Sequence, residues 1–132
     1  MQMILFKLNQ QFYLISAASV EEVIDTIEIT PVPLAAKWVK GLINLRGAVM
    51  TVVGLSELIG VPESKEYKNI LIMKKDDKRK GLLIEEVSEI LDVDPEKVVL
   101  NDDAKEQNKY YSGIVSFPDK VANVVDVTKM IF

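Results

Sequence analysis

The chain has 132 residues, 48% of them hydrophobic, with 16 basic against 20 acidic side chains and neither cysteine nor histidine. That length suits one compact domain with a sizeable core, while the missing cysteines exclude disulfides and thiolate metal sites and point to a reducing cytoplasm. Without histidine the commonest general base and transition-metal ligand are gone, and a net charge of −4 argues against a nucleic-acid partner.

The opening Met1–Lys7 lacks the basic region and long apolar run of a signal peptide, and no apolar stretch reaches membrane-spanning length, so a soluble intracellular protein is expected. Ile4–Leu8 and Phe12–Ile15 are apolar runs on either side of Asn9-Gln10-Gln11, which predicts a β-hairpin with a three-residue turn. From Ser16 to Asp25, Val20, Val23 and Ile24 fall at helical spacing among Glu21, Glu22 and Asp25, predicting a short helical turn. Ile27 and Ile29 alternate with polar neighbours as a short strand would, until Pro31 and Pro33 impose an extended loop. Gly41 to Leu55 then reads as a second hairpin with Arg46-Gly47 at its tip, because glycine takes positive φ without a Cβ penalty. Leu55–Ile59 before Gly60 makes a short helix with a glycine stop, followed by a loop from Val61 to Lys68.

The second half repeats this order. Val20–Asp25 falls on Val87–Asp92 with a shift of 67 positions, and the same shift carries Asn9-Gln10-Gln11 onto Asp76-Asp77-Lys78 and Ile4-Leu5-Phe6 onto Leu71-Ile72-Met73. A shift of 72 carries Gly41-Leu42-Ile43 onto Gly113-Ile114-Val115 and Val52–Leu55 onto Val124–Val127. The chain therefore reads as one domain, 1–132, with pseudo-repeat halves 1–66 and 67–132, each a small β unit of hairpin, helical turn, short strand, second hairpin and closing helical turn. Strand-rich units of this size close into barrels and share apolar surface. The polar stretch 101–109 between the late elements predicts a mobile surface loop.

Arg46 is the only cation between Lys40 and Lys65. It either snorkels with a solvated head or presents a planar, five-donor anchor to a partner. The second half carries Pro118-Asp119 at the corresponding tip, and a purely structural tip would not need that difference, which favours the anchor. Trp38 is expected to cap the first barrel's core. The acid pairs Asp76-Asp77, Glu85-Glu86 and Asp102-Asp103 sit in polar turns or point to opposite strand faces, so none offers a converging metal or acid–base site. Lys74–Lys80 reads as a solvated hairpin tip and the five methionines as core filler.

Val39–Gly47 (Val-Lys-Gly-Leu-Ile-Asn-Leu-Arg-Gly), preceded by Ile29-Thr30-Pro31-Val32-Pro33, resembles the signature of the CheW-like domain of bacterial chemotaxis coupling proteins. Gly81–Leu91 and Val124–Ile131 are similar to later blocks of that family. The resemblance implies a mainly β fold of two packed SH3-like five-stranded barrels with short helices. It also implies a non-enzymatic adaptor, without cofactor or metal, that joins the cytoplasmic tip of a chemoreceptor (a methyl-accepting chemotaxis protein) to the regulatory domain of the histidine kinase CheA. Such a protein is cytoplasmic and recruited to membrane-associated receptor arrays. One surface would meet the kinase barrel end to barrel end, and a groove between barrels would take the receptor. By matching positions, Val20, Glu22, Gly41, Asn44, Arg46 and Gly47 belong to the receptor-side and coupling surface, with Val87 as the repeat counterpart of Val20. The run Thr51–Ser56 departs from the family's Pro-Val-x-Asp-Leu-Arg, leaving a charge pair missing at the start of the closing helix, and Glu85-Glu86 replace an aspartate and a small polar residue. These departures leave open a divergent, non-flagellar or competing coupler. Nucleic-acid binding by a small barrel is opposed by the acidic balance, and a carboxylate enzyme by the absent histidine, cysteine and glycine-rich phosphate loop.

Overall fold

Runs rich in Val, Ile and Leu dictate strands, and no helix among the described residues exceeds five residues. The computed structural model describes residues 1–100 and 110–132. Its strands are β1 (Gln2–Leu8), β2 (Gln11–Ser16), β3 (Val20–Asp25), β4 (Val39–Leu45), β5 (Ala48–Gly54), β6 (Asn69–Lys75), β7 (Lys78–Ile84), β8 (Glu86–Asp92), β9 (Val99–Leu100), β10 (Tyr111–Ser116) and β11 (Val121–Val125). Short helices α1 (Leu55–Ile59) and α2 (Thr128–Ile131) follow β5 and β11. One sheet has the order β8-β1-β2-β11-β10-β9 and the other β3-β6-β7-β5-β4. Each supplies the five strands expected of an SH3-like barrel, and the two-residue β9 is an addition to the first.

The unbroken apolar run of β1 is explained by burial on both faces. Met3 and Leu5 point into the first sheet's interior with Leu14, Val115 and Val124, whereas Ile4, Phe6 and Leu8 point into a cluster shared by both sheets. β6 does the same in the second sheet: Ile70 and Ile72 join Ile43, Met50 and Val52, while Leu71 and Met73 join the shared cluster. A third core thus lies between the two barrel interiors.

The repeat recurs element by element, with β1 (2–8) and β6 (69–75) 67 positions apart. Even the irregularities recur. Glu21 is skipped in the β3–β6 ladder and Ser88 in the β8–β1 ladder; Lys40 is skipped between β4 and β5 and Ser112 between β10 and β11. These four bulges form two pairs at the same shifts, 67 and 72. Gly41 and Gly113 follow their bulges for one reason: a Cβ on either would strike the backbone of a crossing segment, at Thr30 or Val99.

Three expectations are corrected. The halves do not each close on themselves: hairpin β1–β2 lies parallel to β11 and hairpin β6–β7 parallel to β5, so each sheet takes its hairpin from the other half. Ser16–Asp25 is not a helical turn but a one-turn 3-10 segment at Ala17–Ser19 followed by strand β3, and Val87–Asp92 is likewise strand. The bulge at Glu21 explains the misleading spacing, because one extra residue puts positions three apart, Val20 and Val23, on the same core. Trp38 does not cap a core; it is 45% exposed, since the second sheet's interior is already filled by Ile43, Met50, Val52, Ile70, Ile72 and Leu83.

The first hairpin turns on two residues, Asn9 and Gln10, and the strand expected at Ile27 and Ile29 is reduced to a single bridge from Thr30 to Leu42. Stretch 101–109, with Asp102-Asp103, lies outside the described residues.

Candidate docking site at the Arg46 turn

The β4–β5 hairpin pairs Leu45 with Ala48, leaving Arg46 and Gly47 as a two-residue turn. Both have positive φ, 51° and 87°, the mirror-image turn whose twist matches the flanking strands. Asn44 fixes it: its Oδ1 accepts the Gly47 N–H at 2.9 Å. The turn thrusts Arg46 outward, leaving its side chain 67% exposed, and one nitrogen, Nη2, donates to Glu22 Oε1 at 2.6 Å. That hydrogen bond and the Glu22 charge raise the guanidinium's pKa.

A second pair lies beside the first. Arg79 on β7 holds Glu21 with two nitrogens, Nε to Oε2 and Nη2 to Oε1, the latter at 2.9 Å. The Arg79 hydrogen bond keeps the Glu21 carboxyl below the usual carboxylate range; burial opposes it, and the nearby charges of Arg79, Lys74 and Arg46 add to the lowering. Consecutive strand residues normally face opposite ways; the bulge at Glu21 lets both glutamates meet an arginine on one groove. Leu45, Ala48, Met50 and Ile72 line it between the charges.

Of the seven residues named from the sequence, Glu22, Asn44, Arg46 and Gly47 come together at this turn. Val20 opens the same strand as Glu22 but packs on the shared core, and Gly41 is buried against Thr30. Val87 lies on β8 in the other sheet, also against the shared core, its N–H donated to Asn69 Oδ1. Sequence reasoning passed over Glu21 and Arg79. The signal was there: of 16 basic residues only Arg46 and Arg79 are arginine, and both meet here.

The charge pair missing from the run 51–56 has a substitute. Lys40 forms an ion pair with Glu57 and reaches Glu63 at 3.3 Å. Burial works to lower the Lys40 ammonium, but hydrogen bonds and charge from Glu57, then Glu63, outweigh it and raise it. A Cβ on Gly54 would lie 2.7 Å from both Glu57 Oε2 and Lys40 Cε, so this pair fills the space a side chain at 54 would need. Ser56, fully buried, instead shares a hydrogen bond with the Tyr67 hydroxyl at 3.2 Å.

Two SH3-like sheets, interlocked by exchanged hairpins and presenting paired charges on an exposed turn, define a β-barrel interaction module. The family model of the CheW-like domain matches residues 2–131, and the chain belongs to that family. It is 28% identical over 127 residues to a chemotaxis protein CheW of Thermotoga maritima, covering 96% of this chain and 84% of that one. It is 33% identical over 94 residues to a chemotaxis protein CheW of Rhizobium meliloti, covering 70% and 61%. The fold matches the crystal structure of scaffolding protein TtCheW from Thermoanaerobacter tengcongensis with a TM-score of 0.83 and 24% identity, over 96% of this chain and 84% of that one. The resemblance read from Val39–Gly47 is thereby borne out.

Proposed function

We propose that this protein is a non-enzymatic adaptor that couples a chemoreceptor cytoplasmic tip to the regulatory domain of the histidine kinase CheA, with the Arg46 turn as its receptor-side docking point. Family membership supports the adaptor role. The observation that carries the docking point is Arg46 itself: a long cation at a positive-φ turn position, two-thirds exposed and held by one carboxylate. An exposed fork of donors suits a partner carboxylate, and arginine is among the residues that dominate binding energy at interfaces. No helix among the described residues is long and apolar enough to cross a membrane.

The test is a titration of the purified protein with a chemoreceptor cytoplasmic fragment and with the kinase regulatory domain. The expected result is that both bind with dissociation constants on the order of tens of micromolar or tighter, and that Arg46→Glu weakens receptor binding at least about tenfold without lowering the melting temperature. Failure of both fragments to bind would overturn the adaptor reading.

A further inference from the structure

Resting on the reading of Arg46 as the docking point, we infer that Arg79 and Glu21 form a positioning pair that keeps the free edge of the Arg46 guanidinium turned outward to take an acidic side chain of the partner. The bulge that brings Glu21 and Glu22 to one groove creates a difficulty: two adjacent carboxylates there would both draw on Arg46. Glu21 already contributes to the field at Arg46. Arg79 removes the competition. Its two-pronged hold occupies both oxygens of Glu21, whereas Arg46 meets Glu22 through a single nitrogen. The first pair is closed and the second open.

The internal repeat shows that the fold does not require these charges. In the other sheet the corresponding bulge residue is Ser88, the position matching Arg79 is Phe12, and the position matching Arg46 is Pro118. Only Glu22 keeps an acidic counterpart, Glu89. In that barrel Phe12 lies instead under the ammonium groups of Lys120 and Lys7, at 5.0 and 6.0 Å from the ring centre. The corresponding strands and bulges are built there without either arginine, around a tip of different turn type since Pro118 cannot take the positive φ of Arg46, so Arg79 and Glu21 depart from the repeat together with Arg46 and on the same groove.

The test uses the full chain as wild type, Arg79→Ala, the double variant Glu21→Ala/Arg79→Ala, and Arg46→Ala. Each is titrated with the chemoreceptor fragment, and the Arg46 Nε–H resonance of the free protein is followed by NMR. Arg79→Ala is expected to weaken binding roughly three- to tenfold and shift the Arg46 resonance as the freed Glu21 carboxylate engages it; the double variant restores both to near wild type. Loss of binding in Arg79→Ala without rescue in the double variant would mark Arg79 as a direct contact or a structural prop and overturn the inference. So would an Arg46 resonance that Arg79→Ala leaves in place. If Arg46→Ala binds like wild type, the docking reading beneath falls, and the resonance alone decides whether the pair positions Arg46.

Discussion

Arg46 occupies a backbone conformation that other residues fill more readily. At the positive-φ turns of the other hairpins the chain uses Asn9 and Gln10, and Asp76. Asparagine and aspartate tolerate that region because a short polar side chain can hydrogen-bond locally; the longer side chains of Gln10 and Arg46 gain nothing from it. The only return from arginine at this place is its reach and charge, since its ion pair to Glu22 is solvent-exposed and adds little to stability. Arg46→Asn is therefore expected to melt at or above the wild-type temperature in differential scanning calorimetry. A clear drop would mean that the guanidinium holds the fold together instead of facing a partner.

Strands explain what the sequence disclosed and what it concealed. The duplicated order was legible because β1 and β6 share alternating burial on both faces, so Ile4-Leu5-Phe6 and Leu71-Ile72-Met73 carry the same pattern. The tip at Arg46-Gly47 was legible from its glycine. The exchange of hairpins was not, because β1–β2 beside β11 and β6–β7 beside β5 use the same parallel contacts, and local pattern cannot tell which copy is adjacent. Bulges were hidden too. An extra residue at Glu21 imitated helical spacing in β3 and at the same time created the pairing with Arg79 that the sequence reading passed over.

Gly41 is the residue after the Lys40 bulge, where the Thr30 segment crosses the strand. It has a φ of 145°, and an added Cβ would run into the Thr30 carbonyl, whose carbon would stand only 2.7 Å away. Gly47 has a φ of 87° with nothing within 4 Å. Chemical denaturation should rank the two: Gly41→Ala costs on the order of 3 kcal/mol because backbone must shift, and Gly47→Ala about 1 kcal/mol from conformational strain alone. Equal costs would show that the Thr30 segment yields freely.

For the whole molecule, the core shared by both sheets makes the barrels one cooperative unit. Tyr13 sits in it, 2% exposed, stacked on Phe6 at 5.7 Å and on Tyr111 at 6.4 Å. Burial, with Tyr111 adding to it, pushes its phenol up to about 12 from the ordinary value near 10. The folded protein therefore holds this proton more tightly than the unfolded chain. The corresponding stability is fully present below pH 10 and is lost as the pH rises through about 12. That loss amounts to roughly 2–3 kcal/mol. Urea melts at neutral pH and at high pH should show it in wild type, with a correspondingly smaller loss in Tyr13→Phe; identical losses would place the alkaline sensitivity elsewhere.

An interlocked scaffold of this kind can hold one cation outward on a turn whose backbone it needs but whose guanidinium it does not need for folding. The direct measurement is an isothermal titration of the chemoreceptor cytoplasmic fragment into wild type and Arg46→Asn. An affinity at least about tenfold weaker in the variant, with an undiminished melting temperature, is the predicted result; equal affinities for the two proteins would contradict the account.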